Sequence, residues 1–127
     1  MLTVPLETLA YIIIKAREYD AGIPEPDAES DAEPLAAAER DGLNRQELVD
    51  AINSLDDEQR IELLALTWLG RGDYGKEEWR AALAEARRIH DAKEADYLVG
   101  TPLLADYLEE ALAQLGYSIE DYEIGRL

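Results

Sequence analysis

His90 is the single histidine of the chain, so any imidazole-based proton transfer or metal ligation rests on it alone. Glu94 follows one helical turn later, and a histidine–carboxylate pair is part of many metal sites. One turn supplies too few ligands, however, and the chain offers no second histidine and no cysteine. The expected role of His90 is structural. Its ring packs on the stripe of Trp79 and Leu83 near the end of a helix, where its charged form favours the C-terminus.

The segment Trp68-Leu-Gly-Arg-Gly-Asp-Tyr-Gly-Lys-Glu-Glu-Trp has the outline of a calcium-binding EF-hand, with a glycine bend and an acidic helix start. If Gly72 is the sixth loop position and Glu78 the twelfth, then positions one, three and five are Thr67, Leu69 and Arg71. Calcium requires carboxylate or amide oxygens there, and Arg71 repels it. The segment reads as a corner between two helices, with Glu77 and Glu78 at the second helix's N-terminus. Gly70, Gly72 and Gly75 do not make a phosphate loop, because no strand precedes them and no Gly-Lys-Ser/Thr follows. Paired carboxylates such as Asp56/Asp57, Glu77/Glu78 and Glu109/Glu110 carry no catalytic signal in a chain with 29 acids among 127 residues. No catalytic, cofactor-binding or metal-binding residue is assigned, no cofactor is expected, and the expectation is a protein that is not an enzyme.

The elements that position these residues follow from apolar spacing. Pro5 suits a first helical position, and Leu6, Leu9, Ala10, Ile13 and Ala16, widened by Ile12 and Ile14, form the stripe of a helix from Thr3 or Val4 to about Tyr19. So broad a face suggests a central helix. The pattern then breaks over Asp20 to Asp41, which holds eight acids, one base and three prolines. That composition cannot bury enough apolar area to offset its ordering entropy, so the window reads as an acidic, flexible insertion. Asn44, with Glu47 reaching back, caps a second helix carrying Leu48, Val49 and Ile52.

Asp56 with Gln59 starts a third helix, which carries Ile61, Leu64, Ala65 and Trp68 and stops at Gly70 and Gly72. A fourth runs from about Lys76 to Asp91. A fifth begins with Thr101 as cap and Pro102 at its first position, carries Leu104, Tyr107, Leu108, Ala111, Leu112 and Leu115, and closes at Gly116. A short sixth helix from Ser118 is possible on the same grounds. The expected core is Ile13, Leu64, Trp68, Trp79, Leu83, Leu108 and Leu112, with Trp68 and Trp79 anchoring the corner between helices three and four. The fold class is all-α, a compact bundle of about five helices with the acidic loop between helices one and two, in a single domain over residues 1–127.

The chain has 29 Asp plus Glu against 12 Lys plus Arg, a formal charge of −17. Such a field repels nucleic acid and anionic lipid and favours basic partners. The longest apolar run, Leu9 to Ile14, ends at Lys15, far short of the ~18 residues of a membrane span, and no basic, apolar, small-residue succession marks a secretory signal. A cytoplasmic protein is expected. Seven tyrosines and no phenylalanine leave amphipathic rings for the edge of a core or for an interface.

Three stretches together resemble a bacterial family named domain of unknown function 3775. They are Leu2-Thr-Val-Pro-Leu-Glu-Thr-Leu with Lys15-Ala-Arg-Glu, Leu55-Asp-Asp-Glu-Gln-Arg to Leu69-Gly-Arg-Gly-Asp, and Tyr97-Leu-Val-Gly-Thr-Pro-Leu-Leu-Ala-Asp-Tyr-Leu-Glu-Glu. The resemblance covers nearly the whole chain except residues 20–41. It implies a compact helical domain of bacterial origin and transfers no functional residue. The expected function is a non-catalytic helical interaction or structural module that meets another protein or its own copy. The alternatives are an acidic DNA mimic or inhibitor of a nucleic-acid-binding protein, and a small enzyme with unrecognised carboxylate chemistry.

Overall fold

The computed structural model describes residues 2–22, 45–91 and 93–117. Helix α1 spans Leu6–Gly22, α2 spans 45–53, α3 Asp57–Arg71, α4 Trp79–Ile89, α5 Glu94–Val99 and α6 Leu104–Gln114, with a 3-10 turn at Lys76–Glu78 ahead of α4. The fold is all-helical, with no strand among the described residues. The five expected helices are present, and α5 is one more than the apolar spacing predicts. The acidic window expected over Asp20 to Asp41 yields its first three positions to the last turn of α1. The rest of that window, the Asn44 cap and the segment from Ser118 lie outside the described residues.

The apolar stripe of α1 is buried, as its breadth suggests, and α3 is the helix enclosed most fully. Every residue from Ile61 to Leu69 is buried, so α3 is enclosed all round, as the middle helix of a bundle must be. It packs against α6, α4 and α5, while α1 packs on α6. Two polar side chains disguised this helix as amphipathic, and both are satisfied inside the protein. Thr67 Oγ1 donates to Leu63 O at 2.9 Å. The buried Glu62 carboxylate accepts from Thr3 N at 2.8 and 3.0 Å, from Thr3 Oγ1 at 3.1 Å and from Val4 N at 3.1 Å. Glu62 thus holds the N-terminal end of α1, where free N–H groups and the helix dipole favour an anion. Pro5 lies just ahead of the helix, and its carbonyl accepts from Leu9 N.

The ends of α3 follow local rules. Asp56 Oδ1 accepts from Gln59 N at 2.8 Å and Gln59 Oε1 from Asp56 N at 3.1 Å, the reciprocal box that the sequence predicts. Gly72, at φ 95°, ends the helix. Gly70 plays a different part from the expected stop, for it lies inside α3. A β-carbon there would collide with the Tyr107 carbonyl, so the missing side chain is what lets α3 and α6 touch backbone to backbone.

The corner after α3 differs from expectation at its aromatic residues. Trp68 is buried, but its ring partner is Tyr74, 6.0 Å away between centroids. Trp79 and Leu83 are only half-buried; the alanines Ala82 and Ala86 form the buried seam of α4. Small side chains bring α4 close to α3 and leave the bulky ones at the edge. Thr67 and Leu69 stay within α3, and Arg71 pairs with Asp73 at 2.6 Å. The other five expected core residues, Ile13, Leu64, Trp68, Leu108 and Leu112, are all buried.

Thr101 caps nothing in α6. Its hydroxyl turns back to Tyr97 O at 2.9 Å and closes α5. Leu103, in the left-handed region at φ 62°, precedes α6. Gly116, at φ 89°, ends α6 as expected, and Tyr117 N donates to Leu112 O at 2.8 Å.

Candidate functional site

Where α4 ends and α5 begins, the chain wraps one side of α3 and encloses a groove of about 340 Å³. Leu64 and Trp68 of α3, Ile89 of α4, Asp91 and Lys93 of the connection, and Glu94 and Tyr97 of α5 line it. Its apolar character follows from α3, whose buried surface continues under the connection. Tyr97 OH accepts from Trp68 Nε1 at 3.4 Å and from Arg71 Nη1 at 3.3 Å, which fixes the phenol across the groove's end. Asp91 Oδ1 accepts from Lys93 N at 2.8 Å and shapes the turn into α5.

Behind the groove stands a cluster of charges. His90 is not on the helical stripe with Trp79 and Leu83; it is the residue at which α4 stops, with φ −55° and ψ 126°. The turn that follows brings Glu94 back to it, with His90 Nδ1 and Glu94 Oε2 2.6 Å apart. His90 Nε2 lies 3.4 Å from Asp57 Oδ1 at the start of α3, and Arg60 Nη2 donates to the same Asp57 oxygen at 2.6 Å. The Glu94 side chain is 3% exposed. Its Oε1 and the Arg60 Nε are enclosed without a protein hydrogen-bond partner.

The electrostatics follow from this enclosure. The hydrogen bond to Glu94 raises the His90 pKa above its ordinary 6.5, outweighing the effect of burial. Burial raises the Glu94 carboxyl above its ordinary 4.5, with His90 opposing. Exposed Asp57 is lowered, first by Arg60 and then by His90. The pairing of His90 with Glu94 is legible in their spacing, but the burial of Glu94 is not, because it depends on α5. No group of three or more histidine, cysteine, aspartate or glutamate side chains among the described residues is arranged to hold a metal ion. Both imidazole nitrogens face carboxylates, Nδ1 the buried Glu94 and Nε2 the exposed Asp57.

No helix among the described residues is long and apolar enough to cross a membrane. Residues 45–117 match a family model described as "Protein of unknown function (DUF3775)". The matched span starts after α1, so the stretch from Leu2 and the Lys15 motif stand outside it, a narrower extent than the sequence resemblance implies. No curated protein and no solved structure matches the chain.

Proposed function

The chain belongs to the DUF3775 family, and on that premise we propose that it is a non-catalytic interaction module whose α3–α5 groove receives a basic, apolar-anchored segment of another protein. One observation carries this reading. Three large apolar side chains among the described residues are exposed, Ile89, Tyr97 and Leu103, and two of them border the same groove. Apolar surface left open beside a concavity marks an interaction site more often than scattered exposure does.

The charge selects the partner. At −17, a second copy is repelled and a basic segment is drawn in. The occupation of both His90 nitrogens by carboxylates favours binding over catalysis. Against a DNA mimic stands the pairing of surface acids with arginines, as in Arg87 with Glu58 and Arg88 with Glu85, which neutralises charges a mimic would display.

The test is a titration with short peptides carrying an aromatic or branched residue beside lysine and arginine, against charge-reversed versions. Basic peptides binding more weakly as salt rises, and more weakly to Ile89→Ser and Tyr97→Ala, support the reading. Equal binding of the acidic versions, or no binding to either, overturns it.

A further inference from the structure

We propose that the proton on His90 sets the groove wall formed by residues 89–94. The wall is pinned while the ring is charged and released once it is neutral, so ligand affinity falls as pH rises. The proposal rests on the reading above and names the regulation of the same groove. Ile89, Asp91, Lys93 and Glu94, on either side of His90, all line the groove. The ring fastens this segment at two points. Nδ1 is 2.6 Å from Oε2 of Glu94, the first residue of α5, and Nε2 is 3.4 Å from Oδ1 of Asp57, the first residue of α3. Ionised carboxylates only accept hydrogen bonds, so both nitrogens must donate, and imidazole carries two N–H groups only as the imidazolium. A neutral ring turns a lone pair on one carboxylate and keeps a single bond. The His90 side chain is 19% exposed and that of Glu94 3%, so solvent reaches the proton while the carboxylate it holds stays enclosed.

The charged groups around the His90–Glu94 pair are Asp57 and Arg60 of α3 and Asp91 of the connection. Arg60 Nη2 donates to Asp57, and Glu94 Oε1 has no protein donor, so no second hydrogen bond replaces the imidazolium on Glu94. Asp91 adds a like charge. A buried carboxylate that loses its counter-charge gains by moving toward water. Glu94 can do so because α5 has six residues, too few to hold a helix by themselves. Leu98 and Val99 remain in the core, which confines the release to the first turn of α5 and the connection before it. The bond to Glu94 raises the His90 pKa above its ordinary 6.5, which places the change near neutral pH.

The experiment measures amide exchange of the full chain by NMR at about pH 6 and about pH 8, with the intrinsic rate at each pH divided out. Two amides report on the wall, since Glu94 N donates to Asp91 O at 3.3 Å and Tyr97 N to Lys93 O at 3.1 Å. Two report on the far end of α5, where Gly100 N donates to Asp96 O at 3.0 Å and Thr101 N to Leu98 O at 3.1 Å. A charge-assisted bond is about twice as strong as a neutral one, so protection at Glu94 and Tyr97 is expected to fall about fivefold at the higher pH. Gly100 and Thr101 stay as they were. Pentanol, uncharged and followed through the Trp68 indole N–H, reads the groove, and its Kd should rise about twofold as the wall is released. In His90→Gln, neutral at both pH values, the pH dependence of both readouts disappears. Should that variant fail to fold, His90→Lys, charged at both, must be equally flat. Constant protection at Glu94 and Tyr97, a fall shared by Gly100 and Thr101, a fall that persists without the imidazole, or pentanol binding that is absent or independent of pH overturns the proposal. Basic peptides that bind at neither pH, with the amide and pentanol changes intact, would remove the interaction module and leave the switch.

Discussion

His90 Nδ1 lies 2.6 Å from Glu94 Oε2, and this contact joins the end of α4 to the start of α5 at the back of the groove. Both partners have raised pKa values, so the folded protein holds protons here more tightly than the unfolded chain does. The stabilisation from His90 is complete below 6.5, its unfolded value, and is lost as pH rises through the higher folded value. The Glu94 effect has the same sign, since a carboxyl raised by burial also favours folding at lower pH. The thermal midpoint is therefore expected to fall as pH rises above 6.5. His90 is the single histidine and there is no cysteine, so His90→Gln should remove most of this slope. A slope unchanged in His90→Gln would place its source elsewhere.

Glu62 ties α3 to the start of α1 through three donors. Replacing it with alanine strands the Thr3 and Val4 N–H groups, and the expected cost is about 2–3 kcal/mol. Urea denaturation measures it. Faster hydrogen exchange at Thr3 and Val4, with the middle of α3 still protected, would identify detachment of α1 as the cause.

Gly70→Ala and Gly72→Ala separate packing from backbone conformation. On helix propensity alone, alanine at position 70 should gain about 1 kcal/mol. The Tyr107 carbonyl occupies that space, and the expectation is a loss of about 3 kcal/mol as α3 and α6 are forced apart. Gly72 has open space but φ 95°, and its substitution should cost only about 1–2 kcal/mol. The reverse order in denaturant midpoints would contradict the close approach of the two helices.

The two tryptophans should differ. Trp68→Ala removes a buried ring and should cost about 3–5 kcal/mol, while Trp79→Ala, at the edge of the core, should cost about 2 kcal/mol. Equal losses in chemical denaturation would show that Trp79 anchors the corner as strongly as Trp68, which is what the sequence alone leads one to expect.

What the sequence by itself determined is what lies within a few residues of its cause. The Asp56–Gln59 box, the stop at Gly116 and the apolar stripe of α6 all depend on neighbours one turn away, where hydrogen-bond partners and side-chain spacing can be read directly. The buried lengths of Ile13, Leu64, Leu108 and Leu112 follow from the same periodicity. Only the tertiary structure decided the rest. Glu62 looks like a solvated acid until Thr3, 59 positions away, is brought onto it. Gly70 reads as a helix stop until Tyr107 is laid across it. Glu94 can be paired with His90 from their spacing, but its burial is settled only when α5, a helix too short to show a period, turns it under His90 and into the wall of the groove. Each outcome depends on which distant surface covers the residue, and local spacing carries no record of that.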